Sequence, residues 1–205
     1  FPLVSKSGYI GKLVSESSDE EDVSFIELYD VPGGAEAFEL ATKFCYGINF
    51  EISIENITML RCVAEYLDMT EDYSFGNLVG RADSYLNEVA LKTISGAVSI
   101  LHMSERLLPI AEKAKLVSRC IDAIAFIASK ETQFCSSTRG DIIGTDGIGM
   151  ASHQRPVVHW WAEDLIVLRI DIFQRVLIAM MARGFKQFAL GPVIMLYAQK
   201  SLRGL

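Results

Sequence analysis

One stretch of the sequence, PGGAEAFELATKFCYG at residues 32–47, separates two patterns that predict different secondary structure. Before it, residues 23–31 alternate around apolar β-forming residues, which is the pattern of a half-buried strand. The Pro-Gly-Gly at the start of the stretch ends that strand, because proline and glycine favour turns. Within the stretch, Phe38, Ala41 and Cys45 recur on one side of a helix that the final glycine can terminate. The stretch therefore predicts a strand, a turn and a helix in direct succession.

After this stretch, apolar residues recur at three- and four-residue steps, which is the period of an amphipathic helix. Ser53 is predicted to be the N-cap of the first such helix, and Pro192 is expected near the start of the last one, where its missing N–H does no harm. The apolar stripes are Ile57, Leu60, Ala64 and Leu67; Phe75, Leu78, Val79, Ala82, Tyr85, Leu86 and Val89; Leu91, Ile94, Val98 and Leu101; Val117, Ile121, Ile124 and Ala128; Ile172, Phe173, Val176 and Met180; and Leu190, Ile194 and Tyr197. One strand against these stripes predicts an α+β fold that is mostly α, with a small sheet beside a helical array.

The composition is that of a folded protein with a substantial core, since half of the 205 residues are hydrophobic and 22% are charged. Apolar runs such as residues 176–181 are much shorter than the roughly 20 residues needed to cross a bilayer. A net charge of −7 and a pI near 5.0 argue against binding that depends on neutralising nucleic-acid phosphates. The acidic run at residues 16–22 is typical of a solvated loop, with a docking edge for a basic partner as the alternative.

The four cysteines are Cys45, Cys62, Cys120 and Cys135. They show no C-x-x-C spacing and lie mostly within apolar periodic segments, so neither a disulfide scaffold nor a metal site is expected. We interpret them as small buried hydrophobic side chains in a reducing cytosol.

The helical period is lost over residues 132–156, where serine, threonine and glycine dilute the apolar residues. A helix does not accommodate so many glycines, so this segment is predicted to be a flexible linker between two helical blocks. The second block carries more aromatic surface than so short a bundle could cover alone, and the two blocks are therefore predicted to fold against each other. Replacing Trp160 by alanine is then expected to destabilise the molecule, by about 3–5 kcal/mol if its ring is buried. The aromatic residues of the block include Trp160, Trp161, Phe173 and Phe185.

No combination of residues in the sequence suggests an active site. The three histidines match no zinc-binding spacing. Glu163 and Asp164 are adjacent, so on a helix their carboxylates point about 100° apart. The glycines at residues 144–149 lack the strand and the G-K-[S/T] ending of a phosphate-binding loop. We therefore assign no catalytic residue, metal ligand or cofactor, and we do not expect an enzyme.

Several longer motifs resemble known protein families. Residues 26–31, followed by the ending FCYG at residues 44–47, are similar to a strand and a helix of the BTB/POZ domain, and residues 57–69 match its next helix. The whole set resembles the plant non-phototropic hypocotyl/root phototropism family more specifically. The motifs that carry this resemblance are PGGAEAFEL at residues 32–40, KFCYG at 43–47, AEYLDMTE at 64–71, GNL at 76–78, SRCID at 118–122, WWAED at 160–164 and LYAQK at 196–200.

The family resemblance implies a division of the chain. Residues 1–86 would form a BTB/POZ domain, with Phe1 already inside that fold, after its first strands and first helix. Residues 87–131 would be a helical extension of the domain. The linker at residues 132–156 would then lead into the start of the family's own helical domain at residues 157–205.

The resemblance also implies a function. Family members look like substrate adaptors of cullin-based E3 ubiquitin ligases, in which the BTB part binds the cullin scaffold subunit and forms a homo- or hetero-dimer, while other regions hold a protein client. We therefore expect a cytoplasmic adaptor in plant light or auxin signalling, peripheral at the plasma membrane, with a photoreceptor or kinase as a further partner and no nucleic acid. A second interpretation stays open: a signalling scaffold that uses the BTB for self-association or partner binding without recruiting a cullin.

The cullin-binding residues follow from the same resemblance. Cullin-binding BTB domains often carry a hydrophobic-x-acidic motif in the loop before the strand, and the best match here is Ser18-Asp19-Glu20. A serine cannot fill an apolar pocket, so weak cullin binding is expected and the scaffold interpretation gains weight. The other residues expected to contact the cullin are Tyr46, Thr70, Glu71, Asp72 and Tyr73.

Overall fold

Ten α-helices make up most of the computed structural model, which describes residues 2–17, 25–137 and 160–202. In chain order they are α1 (Pro2–Lys6), α2 (Gly8–Ser17), α3 (Gly34–Cys45), α4 (Ile54–Tyr66), α5 (Leu78–Glu88), α6 (Ile94–Ser104), α7 (Ile110–Lys113), α8 (Leu116–Ser137), α9 (Ile170–Ala182) and α10 (Gln187–Leu202). Short 3₁₀ helices lie at Ala90–Lys92, Glu105–Leu107 and Trp160–Val167. Within the described ranges, no helix is long and apolar enough to cross a membrane. The predicted predominance of helix is confirmed.

The predicted strand at residues 25–31 is wrong, and with it the small sheet. Residues 25–29 have no regular secondary structure, and no strand occurs in the part of the chain that the structure describes. A strand needs a neighbouring strand to pair its N–H and C=O groups, and the described segments offer none. Phe25 and Tyr29 are largely exposed. The alternating pattern here therefore does not pack onto a sheet face.

The helix predicted within residues 32–47 is confirmed. α3 begins directly after Gly33, whose φ of 79° lies in the left-handed region that glycine adopts without strain. After α3 the chain turns through Gly47, which has a φ of 68°. Ser53 is the N-cap of α4, as predicted, and its backbone N–H donates to Asn56 Oδ1 at 2.9 Å.

A first hydrophobic core lies where α3 packs against α4 and the start of α5. At its edge, the Tyr9 ring of α2 contacts Tyr66 edge-on, with 5.1 Å between ring centroids. We call this cluster the first core. Its buried members are Ala37, Ala41, Phe44, Cys45, Leu60, Val63, Ala64, Leu67, Met69 and Leu78.

A second, larger core lies among α6, α8, α9, α10 and the 3₁₀ helix at Trp160–Val167. It contains residues from both sides of residues 138–159, which lie outside the described residues. The Tyr197 ring of α10 stacks on Phe173 of α9, with 3.9 Å between centroids. The prediction that the two blocks fold against each other is confirmed by this shared core. Its buried members include Ile94, Ile100, Leu101, Leu116, Ile124, Trp161, Phe173 and Val176.

The two adjacent tryptophans have opposite environments. Trp161 has no exposed surface, and its ring contacts Phe185 edge-on with 6.0 Å between centroids. Trp160 is 69% exposed, so the burial on which the predicted loss of about 3–5 kcal/mol depended is absent. Adjacent residues in a 3₁₀ helix lie about a third of a turn apart, and only one of the two can face the core.

Two helix boundaries differ from those predicted. α8 continues to Ser137, into the segment predicted as a linker, and the rest of that segment lies outside the described residues. α10 begins at Gln187, so Pro192 lies inside the helix and not near its start. Proline removes one N–H donor within α10, and tertiary packing on the second core outweighs that local loss.

A polar network joins α4 and α5 to α8. Asp83 of α5 accepts hydrogen bonds from Arg61 Nε at 3.1 Å and from Arg119 of α8 at 2.6 Å. Arg61 also donates to Glu65 at 3.0 Å, and Arg119 donates to Asn87 at 2.9 Å. Because Arg61 is buried, its charge requires these carboxylate partners, and the network fixes the junction of the three helices.

Candidate protein-interaction surface

Polar side chains hold α1 and α2 against the loop between α4 and α5. Ser7, at the break between α1 and α2, donates from Oγ to the Leu67 carbonyl at 2.6 Å. Asn77 Nδ2 donates to the Lys6 carbonyl at 2.9 Å, and the Tyr73 hydroxyl donates to a carbonyl of α1 at 2.7 Å. Because Ser7 and Asn77 have no exposed surface, water cannot replace the bonds that they make.

Further hydrogen bonds fix residues 70–76, which we call the 70–76 loop. The Thr70 carbonyl accepts from two backbone N–H groups of the loop, each at 3.2 Å, and from Asn77 Nδ2 at 3.0 Å. The Glu71 carboxylate accepts from the Gly76 N–H at 2.9 Å. That carboxylate lies so close to α5 that a side chain at Gly80 would collide with it. The loop is therefore held in one conformation by its own groups and by its neighbours.

A cleft of about 450 Å³ opens beside the amino-terminal half of α5. Two cations lie over the Phe44 ring in this region: Lys6 Nζ is 4.9 Å and Arg81 Cζ is 5.6 Å from the ring centroid. These distances are within the range of cation–π attraction. The cleft, which we call the aromatic cleft, thus combines apolar and polar lining residues with a positively charged border. It is lined by Phe44, Gly47, Ile48, Asn49, Phe50, Ile52, Arg81 and Ser84.

Four of the residues predicted to bind a cullin lie together in the 70–76 loop. Glu71, Asp72 and Tyr73 are exposed, although the Glu71 carboxylate accepts from the Gly76 N–H and the Tyr73 hydroxyl donates to a carbonyl of α1. Thr70 is half-buried, and its carbonyl is occupied by the hydrogen bonds that shape the loop. The structure therefore gives Thr70 a supporting position and the other three residues a place on the surface.

Tyr46 lies directly after α3, between two residues that line the aromatic cleft, and its side chain is exposed. Lys6 connects this position to the 70–76 loop. Its carbonyl accepts from Asn77 at the end of the loop, while its ammonium group lies over Phe44. The remaining predicted residues, Ser18, Asp19 and Glu20, lie outside the described residues.

Phe75 belongs to a different element from the one that its apolar period predicts. α5 begins at Leu78, and Phe75 is 96% exposed, more than any other large hydrophobic residue in the described part of the chain. Asn77 is the N-cap of α5, and its Oδ1 accepts from the Leu78 N–H at 2.9 Å. The dipeptide Gly76-Asn77 indicates this boundary, because glycine favours turns and asparagine is a preferred N-cap.

The described residues contain no group of histidine, cysteine, aspartate or glutamate side chains that could hold a metal ion. Glu163 is exposed and Asp164 is half-buried in the 3₁₀ helix at Trp160–Val167. His102 is largely exposed on α6, and the other two histidines lie outside the described ranges.

Three cysteines are free and buried: Cys45 in the first core, and Cys62 and Cys120 in the second. Burial raises the pKa of Cys62 and Cys120 to about 12, and it raises the pKa of Cys45 as well. Because the thiolate is the reactive form, burial disfavours reaction at all three, and most strongly at Cys62 and Cys120. The interpretation of the cysteines as buried hydrophobic residues is confirmed for them. The side chain of Cys135 lies outside the described residues.

The described residues form a helical molecule with two cores and an ordered loop that exposes aromatic and acidic side chains. Comparison with known proteins shows what it is similar to. The model of the NPH3 family matches residues 159–205. The chain is 65% identical over 205 residues to the BTB/POZ domain-containing protein SR1IP1 of Arabidopsis thaliana, an alignment that covers 100% of this chain and 34% of that protein.

Two further relatives from Arabidopsis thaliana support the same assignment. Root phototropism protein 2 is 42% identical over 205 residues, covering 100% of this chain and 31% of that protein. The BTB/POZ domain-containing protein SETH6 is 44% identical over 203 residues, covering 99% of this chain and 31% of that protein. No solved structure gives a significant match. The resemblance to the NPH3 family that the motifs predicted is confirmed: residues 159–205 match the family model and the whole chain is similar to these relatives. The chain spans about a third of the length of the curated relatives that it matches.

Proposed function

We propose that this chain is part of a substrate-specific adaptor of a cullin-based E3 ubiquitin ligase. Residues 1–86 would be the BTB/POZ part that docks the cullin, residues 87–131 its helical extension, and residues 157–205 the start of the NPH3 domain. The observation that carries the proposal is the match of the entire chain to BTB/POZ domain-containing relatives. The adaptor would bind a protein client and have no catalytic chemistry of its own.

The setting of this adaptor is part of the proposal. It would act in plant light or auxin signalling, in the cytoplasm and peripherally at the plasma membrane, with a photoreceptor or kinase among its partners. No nucleic acid is among the proposed partners. This agrees with the net charge of −7, because binding to nucleic-acid phosphates depends on positive charge.

The 70–76 loop and Tyr46 are the described features that suit a cullin contact. Aromatic side chains are enriched at protein interfaces, and Tyr46 and Tyr73 are both exposed. The loop is already ordered by its hydrogen bonds to Thr70 and Glu71. A preordered loop loses little conformational entropy on binding, so the contacts of Asp72 and Tyr73 would contribute to affinity with little offset.

Calorimetry with the purified chain and the N-terminal region of a cullin tests the proposal. We expect Tyr46→Ala and Asp72→Ala each to weaken binding by about 1–2 kcal/mol, as truncation of interface residues does. Phe126→Ala is the matched control, because Phe126 is also partly exposed but lies on α8, away from the loop. No binding by the wild-type chain would contradict the cullin-adaptor proposal, and binding that neither variant weakens would remove the cullin contact from this surface.

The segment Ser18-Asp19-Glu20 is tested in the same experiment. Ser18→Met should strengthen cullin binding by about 1–2 kcal/mol, because it supplies the apolar side chain that the motif lacks. Glu20→Ala should weaken binding by removing a charged contact. Strong wild-type binding, or no response to Ser18→Met, would show that this segment is not the anchor.

A second candidate function is a signalling scaffold that self-associates or binds other partners without a cullin. The observation that favours it is Ser18, which stands where cullin-binding BTB domains often have an apolar residue. In this case the wild-type chain would not bind the cullin fragment but would form a dimer or a complex with another protein.

A further inference from the structure

Lys6 and Arg81 converge on the ring of Phe44 at the aromatic cleft. Lys6 Nζ is 4.9 Å and Arg81 Cζ is 5.6 Å from the ring centroid. Neither cation makes an ion pair with a carboxylate in the described part of the chain. The Glu71 carboxylate, which lies beside Gly80, accepts from a backbone N–H of its own loop and does not pair with Arg81. Because the two like charges repel each other, a carboxylate between them would be attracted by both.

A second ring with two cations, Phe126 of α8, has the carboxylate that Phe44 lacks. Lys130 Nζ lies 4.4 Å and Arg183 Cζ lies 5.7 Å from the centroid of the Phe126 ring. Arg183 also pairs with the Asp122 carboxylate at 3.5 Å. An acidic residue of the chain itself thus completes this cluster. At Phe44 the described ranges supply no such residue, so the matching carboxylate would come from another molecule.

The lining of the aromatic cleft indicates which kind of molecule would carry that carboxylate. Among the described residues that line it, Arg81 is the only charged one, while Asn49 and Ser84 add polar groups, and Ile48 and Phe50 are apolar. Its volume of about 450 Å³ is within the range of roughly 300–1,000 Å³ found for ligand clefts, which combine apolar side chains with a few orienting polar groups. This mixed lining fits a peptide in which an apolar and an acidic side chain are adjacent.

We infer that the aromatic cleft binds a segment of a client protein in which an aromatic or large aliphatic side chain is adjacent to an aspartate or glutamate. The apolar side chain would pack on Ile48 and Phe50, and the carboxylate would bind Lys6 and Arg81. Arginine can hold a carboxylate through two parallel hydrogen bonds, and lysine acts as a point charge. The net charge of −7 opposes this contact only weakly, because charges farther than about 8 Å are largely screened at physiological ionic strength. The inference rests on the proposed adaptor function, since it assigns a surface and a chemistry to the client.

Selection of random short peptides from a displayed library on the immobilised chain tests the inference. We expect the enriched peptides to carry an acidic residue directly beside an aromatic or large aliphatic one. Fluorescence polarisation of the most enriched peptide, labelled with fluorescein, then gives its Kd. Arg81→Glu should raise this Kd at least about tenfold, because it reverses the charge that faces the peptide carboxylate. Lys130→Glu is the matched control, since it makes the same change of charge beside Phe126, and its Kd should equal that of the wild type.

Ser84→Trp tests the apolar part of the site. Ser84 lines the cleft, is exposed, and donates its hydroxyl hydrogen to the Gly80 carbonyl of its own helix. A tryptophan there would fill the cleft without changing its charge, so the Kd of the same peptide should rise at least about tenfold. Ser118→Trp is the matched control, because Ser118 is an exposed serine of α8 that does not line the cleft. Far-UV circular dichroism should match the wild type for all of these variants.

The outcomes separate the inference from the proposed function. Enrichment without the acidic–apolar pattern, a Kd that Arg81→Glu and Lys130→Glu change equally, or a Kd that Ser84→Trp leaves unchanged would each overturn the inference. Cullin binding is measured independently with the cullin fragment. A chain that binds the cullin but selects no such peptide keeps the adaptor proposal and loses this site. A chain that selects the peptides through Arg81 and Ser84 but binds no cullin keeps the peptide site and contradicts the adaptor proposal.

Discussion

The first core and the second core are joined to their neighbours by different kinds of interaction. At the first core, buried polar groups of Ser7 and Asn77 tie α1 and α2 to the 70–76 loop. At the second core, the two sides of residues 138–159 meet mainly through apolar burial around Trp161. Hydrogen bonds are directional and fix a loop in one conformation, whereas apolar burial is non-directional and depends on area. The difference explains why the ordered 70–76 loop belongs to the first core.

The largest expected effect tests the apolar packing of the second core. Trp161→Ala should lower the free energy of unfolding by about 3–5 kcal/mol, because it removes a fully buried aromatic ring from the second core. The neighbouring Trp160→Ala should change it by no more than about 0.5 kcal/mol, since the Trp160 ring is mostly exposed. Urea unfolding of both variants measures the difference. Equal losses for the two would show that the 3₁₀ helix does not direct Trp161 alone into the core.

The next largest effect tests the hydrogen bonds at the first core. Asn77→Ala should lower the free energy of unfolding by about 1–3 kcal/mol, because the Lys6 and Thr70 carbonyls lose a donor and the first turn of α5 loses its cap. It should also speed hydrogen exchange in the 70–76 loop. Ser84→Ala is the control on the same helix, since its hydroxyl bonds only to the Gly80 carbonyl of α5 itself and the residue is exposed. Unchanged exchange in Asn77→Ala would mean that the loop is ordered by other contacts.

The polar network around Asp83, which joins α4 and α5 to α8, should contribute less to stability than either of these side chains. A double-mutant cycle on Asp83 and Arg119 should show an interaction of about 0.5–1.5 kcal/mol, because the pair is only partly exposed and Asp83 also neutralises buried Arg61. The same cycle on the exposed pair Arg169 and Asp171 should give a value close to zero, although that arginine holds the pKa of Asp171 below its usual range. A coupling close to zero for Asp83 and Arg119 as well would show that the network does not fix the junction of α4, α5 and α8.

The smallest effect concerns thiol reactivity in the two cores. In the native chain at pH 8, maleimide should label Cys45 before Cys62 and Cys120, because Cys45 keeps slight exposure and the nearby Lys6 charge opposes the rise of its pKa. The other two, with pKa raised to about 12, should stay unlabelled until denaturant is added. Mass spectrometry of proteolytic peptides gives the order. Early labelling of Cys62 or Cys120 would show that the second core opens more readily than the first.

The local pattern of the sequence was enough to locate most of the described helices. The apolar stripe around Leu60 and Ala64 and the N-cap at Ser53 both lie where the period predicted them. Motifs such as the one at residues 32–47 were also enough to identify the family, because they are long and occur in the family's order. The candidate site was found only in part: Glu71, Asp72 and Tyr73 lie in one exposed loop, but the apolar period placed Phe75 in a helix.

The sequence by itself determined the helical character, the family and the burial of Cys45, Cys62 and Cys120, because each depends on periodicity or on motifs read within a few turns. The tertiary structure alone decided which of Trp160 and Trp161 faces the core, and that residues 25–31 form no strand. These outcomes depend on partners distant in the chain. A strand exists only if another strand pairs with it, and a ring is buried only if another element covers it.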